Sequence, residues 1–109
     1  MNGQSPVPVY VHGDDAVLRD GVVAQLRGAG DVIDVSAPDK AAVIVLAADA
    51  LDGAVLDLTR KVRDRARRPV VLVLSRLDDD GLLDGVAAGA SAFLRRYEAV
   101  PDRLGPVVV

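Results

Sequence analysis

Apolar residues along this chain fall into five short runs, separated by stretches with helical spacing. Val7 to His12 is apolar and β-branched, which predicts a first strand. Gly13-Asp14-Asp15 follows, and either aspartate can cap a helix in which Leu18, Val22 and Leu26 recur at helical spacing. Gly28 and Gly30 end that helix. Val32 to Val35 predicts a second strand, interrupted by Asp34, and Ala41 to Ala48 predicts a third. Val55, Leu58 and Val62 mark the buried stripe of the next helix, which Pro69 stops. Val70 to Leu74 reads as a fourth strand. Asp78-Asp79-Asp80 suits the positive end of a helix running to about Ala88, with Gly89 as its stop. Ala92-Phe93-Leu94 is the fifth strand.

Two connections are short. Only Ser36 to Lys40, with Ala41, separate the second strand from the third, whereas a helical crossover takes about a dozen residues. An extended link of that length spans at most about 20 Å, roughly one strand. The helix is therefore expected to be absent or reduced to one turn. Beyond the fifth strand, Pro101 to Leu104 starts a helix that Gly105-Pro106 stops, and Val107-Val108-Val109 remain. A curtailed last helix and an apolar end read as a fragment of a longer protein.

Composition narrows the class. The 109 residues make one domain, 1–109, with a single core. Half are hydrophobic but only 3% are aromatic, so the core is aliphatic, which suits strands buried on both faces of a parallel α/β sheet. The net charge of −3 gives no general attraction to nucleic acid or anionic membrane. With no cysteine, disulfides, thiol catalysis and thiolate metal sites are excluded. No signal-peptide pattern or membrane-length apolar run is present, so a cytoplasmic location is expected.

Three segments carry a family resemblance. Val17-Leu18-Arg19-Asp20-Gly21-Val22 resembles the first-helix segment of receiver domains in NarL/LuxR-type bacterial response regulators. Leu77-Asp78-Asp79-Asp80 resembles the start of their fourth helix, and Ala88-Gly89-Ala90-Ser91-Ala92-Phe93-Leu94-Arg95-Arg96 their fifth strand and its approach. The resemblance covers residues 7–100 and implies a flavodoxin-like, CheY-like three-layer sandwich with a five-stranded parallel sheet in order 2-1-3-4-5. Against that resemblance the second helix is missing or very short, and the last is curtailed.

The resemblance also implies site positions. The acidic pair that holds Mg²⁺ in the family falls on Gly13 and Asp14, with Asp15 one step on. The phosphoacceptor aspartate falls on Ala47. Of the switch positions, the hydroxyl residue is Ser75, the aromatic is Phe93, and the lysine is replaced by Arg96, followed by Tyr97 where proline is usual. An alanine methyl cannot accept a phosphoryl group, and loss of two of three carboxylates leaves Mg²⁺ poorly served. No cofactor is expected.

The residues keep other readings open. Asp49 shares the facing of Ala47 if the strand continues, which makes it a displaced acceptor; otherwise it is a loop residue or a helix cap. His12, followed by Gly13, resembles the histidine of sugar-uptake phosphocarrier domains, against a structural strand-end histidine. Arg60 to Arg68 is a basic run that suits either phosphates or the negative end of a helix dipole; the second is favoured, with no direct nucleic-acid contact. The resulting expectation is a non-enzymatic, phosphorylation-independent pseudo-receiver in a transcription regulator. Its partners are a second copy, a helix-turn-helix domain beyond Val109, and a small ligand or a protein at a crevice lined by Gly13, Asp14, Ala47, Ala48, Ser75 and Arg96.

Overall fold

The computed structural model describes residues 7–13, 15–28 and 32–95. Expectations that fall on Asp14, Arg96, Tyr97 and the segment Pro101 to Val109 lie outside these residues.

Among these residues nine elements follow one another: β1 (Val7–Gly13), α1 (Ala16–Gly28), β2 (Val32–Asp34), a single 3₁₀ turn (Pro38–Lys40), β3 (Val43–Ala48), α2 (Gly53–Ala66), β4 (Val70–Leu74), α3 (Asp79–Ala88) and β5 (Ala92–Arg95). The five strands form one parallel sheet in the order β2-β1-β3-β4-β5, as the resemblance implied. Parallel neighbours joined by right-handed crossovers put α1 on one face, and the connections β2 to β3, β3 to β4 and β4 to β5 on the other.

Packing follows the two-residue period of the strands. Val9, Val11, Val43, Val45, Ala47, Val71, Val73 and Leu94 cluster with Leu18, Val22 and Leu26 of α1. Ile44, Leu46, Val70, Leu72 and Leu74 face the opposite way, with Val55, Leu58 and Val62 of α2 packed against them. Each fully buried aliphatic side chain contributes about 1.5–3 kcal/mol, and β4 is buried along its whole length. That double burial is why β3 and β4 read as unbroken apolar runs.

The return from β2 to β3 is the single turn that its length allowed. Ala41 N–H donates to the Pro38 carbonyl at 3.1 Å and Ala42 N–H to the Pro8 carbonyl at 2.8 Å. The chain therefore enters β3 two residues later than the apolar pattern suggested. β1 and β5 each extend one residue further than expected, to Gly13 and Arg95. On α2 the fully buried residue is Thr59, whereas Val55, Leu58 and Val62 are half-buried. Its hydroxyl donates to the Val55 carbonyl at 2.8 Å, so a polar side chain sits there without an orphaned group.

The Ala88-Gly89-Ala90-Ser91 stretch has a local cause. Gly89, at φ 104, closes α3 with a Schellman motif: its N–H reaches Val86, and the Ala90 N–H reaches the Gly85 carbonyl at 3.0 Å. Ser91 N–H then donates to Val70 at 2.8 Å and leads the chain into β5. A Cβ on Gly89 would also collide with the Arg63 side chain of α2, which lies across it. Gly89→Ala is therefore expected to destabilise the fold by about 1–2 kcal/mol in urea unfolding. Gly53→Ala, where a Cβ meets nothing within 4 Å, is expected to be neutral or stabilising by up to about 1 kcal/mol.

Candidate functional site

Parallel strands bring their C-terminal ends to one edge of the sheet, and the helices that follow start there. Gly13 pairs with Ala47, and Ala47 pairs with Val73. The tips of β1, β3 and β4 therefore stand side by side. Over them opens a crevice of about 450 Å³, lined by Asp15, Val17, Ala47, Ala48, Asp49, Asp52, Ser75 and Arg76 among others. Its polar side chains include three carboxylates and one guanidinium.

The carboxylates already have partners. Asp15 Oδ1 accepts the N–H groups of Val17 at 2.8 Å and Leu18 at 3.4 Å, capping α1. Asp52 Oδ1 accepts from Val55 N–H at 3.0 Å, capping α2. Asp78 does the same for α3 through Gly81 N–H at 2.7 Å. The capping role considered for Asp49 thus belongs to Asp52. Strand β3 ends at Ala48, so Asp49 is exposed beyond it rather than stacked above Ala47. Its Oδ2 accepts from Arg76 Nη2 at 2.6 Å, and its carbonyl accepts from Arg76 N–H at 2.8 Å. Both side chains are about three-quarters exposed, so the ion pair is worth little in energy. The backbone bond is what holds the two loops together.

Ala47 is buried at the centre of this edge with only 4% exposure, and its methyl offers no lone pair. Gly13 beside it is close-packed: a Cβ there would stand 3.2 Å from the Ala47 carbonyl and 3.6 Å from the Ala47 methyl. Among the described residues, no three His, Cys, Asp or Glu side chains are grouped to hold a metal ion. Mg²⁺ needs near-octahedral oxygen ligands. A capped helix end, an Arg-paired loop carboxylate and a methyl group do not supply them, so the described residues do not fit the ion.

The expected site residues are only partly brought together. Ala47, Ala48 and Ser75 line the crevice, with Asp15 and Asp49. Gly13 contributes backbone packing and does not line it. Ser75 is exposed at the end of β4, its N–H donating to the Ala48 carbonyl at 3.2 Å. Phe93 points to the α2 face, where its ring lies so close to Gly85 that a Cβ there would stand 2.5 Å from Cε1. Arg76 was missed by sequence reading, although its place directly after Ser75 was the available signal. His12 is half-buried on the α2 face, away from this crevice. Within the basic run, Arg60 pairs with Asp57 at 3.1 Å, Arg63 crosses Gly89, and Arg68 Nε donates to the Ala41 carbonyl at 2.7 Å. Those three contacts are within the fold. No helix among the described residues is long and apolar enough to cross a membrane.

No known family profile matches the sequence, and no curated protein matches it. Solved structures do match the fold. The signal receiver domain of the response regulator NarL from Mycobacterium tuberculosis superposes with a TM-score of 0.73 at 21% identity, over 96% of this chain and 94% of that one. A pilus assembly-related protein from Burkholderia pseudomallei gives 0.75 at 21% identity, over 99% and 93%. The RcsB response regulator of Salmonella typhimurium gives 0.73 at 12% identity, over 94% of this chain and 58% of that one. The fold is thus that of response-regulator receiver domains.

The two roles assigned to rim carboxylates separate by stability. Asp52→Ala is expected to cost about 1 kcal/mol in chemical denaturation. Asp49→Ala, which breaks only an exposed ion pair, is expected to cost less than about 0.5 kcal/mol.

Proposed function

We propose that this chain is a phosphorylation-independent pseudo-receiver, a non-enzymatic regulatory domain of a bacterial transcription regulator of NarL/LuxR type. It acts in the cytoplasm and controls a covalently linked helix-turn-helix domain. The observation that carries this reading is Ala47, a methyl at the central strand tip, surrounded by carboxylates that already cap helices or pair with Arg76. Phosphoryl transfer needs an oxygen nucleophile at the strand tip and carboxylates free to hold Mg²⁺, and the Ala47 methyl and the capping roles of Asp15 and Asp52 support its loss. Input then comes from a bound molecule that prefers one of two conformations, not from phosphate.

Output by dimerisation has a candidate surface. Leu82, Leu83 and Val86 of α3 are 39%, 68% and 57% exposed. Clustered exposed aliphatics of this kind mark interfaces. In sedimentation velocity at micromolar concentrations the protein is expected to run as a dimer, and the double variant Leu83→Lys, Val86→Lys as a monomer.

The phosphorylation reading is tested directly. After incubation with acetyl phosphate and Mg²⁺, intact mass is expected to show no phosphoryl gain. One phosphoryl group lost again in Asp49→Ala would make Asp49 a working acceptor and overturn the proposal. An acid-labile gain lost in His12→Ala would instead assign phosphocarrier chemistry to His12.

A further inference from the structure

The short return from β2 to β3 has a consequence at the opposite side of β3 from α1. Right-handed crossovers put that return on the same face as α2, passing over β1. A helix there would stand beside α2 and cover the tips of β1 and β3. The 3₁₀ turn packs on β1, and among the described residues no helix stands beside α2 on that side. A groove of about 400 Å³ lies there, lined by His12, Leu46, Ala47, Ala48, Ala54, Val55, Asp57, Leu58 and Lys61. In the strand order β2-β1-β3-β4-β5 the connections diverge on either side of β1 and β3, and such a switch point is where open α/β sheets bind ligands.

The lining states what fits. Its apolar surface comes from Ala48, Val55 and Leu58, with Leu46 and Ala47 buried beneath them. At the rim, the Asp57 carboxylate is paired with Arg60 at 3.1 Å. Lys61, one turn further along α2, is exposed and makes no ion pair with any described residue. The rim thus presents the Lys61 ammonium, without an ion pair among the described residues, beside the exposed Asp57–Arg60 pair, and an apolar body bearing a negative group matches that ammonium. The volume lies in the range of small-molecule sites, about 300–1,000 Å³.

We propose that this groove is a binding site for a small amphiphilic carboxylate: an aliphatic or aromatic body seated on Ala48, Val55 and Leu58, with its carboxylate at Lys61. The inference deepens the ligand-input part of the proposed function and rests on that reading for its regulatory meaning. Binding itself is independent of phosphorylation.

Octanoate is the probe, titrated into the ¹⁵N-labelled protein and followed by amide chemical shifts. Saturable shifts are expected at His12, Ala48, Val55, Leu58 and Lys61, with a Kd of about 1 mM, as a ligand of this size allows. Lys61→Gln is expected to weaken octanoate about threefold to fivefold and leave octanol unchanged. Octylamine is expected to bind less tightly than octanoate. Ala54→Trp, at an exposed helix position facing the groove, is expected to weaken both octanoate and octanol. Shifts confined to Leu82, Leu83 and Val86, no saturation, or equal affinity for octylamine would overturn the proposal. Any of these results would leave the acetyl phosphate outcome untouched, so the two readings fail separately.

Discussion

The architecture depends on the parallel ladder that runs through β1, β3 and β4. Its strands are covered on both faces, so alternate side chains must be apolar in both directions, and register slips would bury nothing new but would misplace the tips. The pairing of Gly13 with Ala47 and of Ala47 with Val73 sets those tips level. Every helix that follows a strand then begins at the same edge, with its free N–H groups and positive dipole end directed there. One edge of the molecule thus collects the acidic caps Asp15, Asp52 and Asp78.

That collection gives the acidic rim, among the described residues, a structural use. A carboxylate beside a helix start has two uses open to it. It can accept backbone N–H groups, or it can turn inward to a cation shared with other carboxylates. The second use requires an anionic neighbour at the centre, and the centre is the Ala47 methyl. With no central carboxylate to assemble around, the rim acids take the local hydrogen bonds that their own loops offer. The charge that remains at the loop crossing is balanced by Arg76 on Asp49.

The shortened crossover acts in the same direction. Losing a helix from one layer removes cover from β1 while α2 continues to cover β3 and β4. The sheet keeps its order because the ladder hydrogen bonds do not depend on that helix. What changes is the surface: a groove floored by aliphatics opens at the switch point, next to a lysine. The crevice over the strand tips and this groove meet at Ala47 and Ala48.

Much of this was legible in residue order. Val70 to Leu74 declares a doubly buried strand because no polar residue interrupts it, Gly89 declares a helix stop because few other residues adopt its backbone, and a link from Ser36 to Lys40 is too short for a helix by chain length alone. The substitution at Ala47 was equally visible, since a missing oxygen is a property of the residue type. Partner choice was not. Whether Asp49 or Asp52 caps α2 depends on where β3 stops, and that is set by ladder pairing across strands distant in sequence. The position of Arg76 over Asp49, the Arg63 stem across Gly89 and the burial of Thr59 arise from contacts between α2, α3 and neighbouring loops. Local sequence determines which conformations and chemistries a residue can have; only the assembled sheet and helices decide which neighbour it meets, because that choice is made by distance in space.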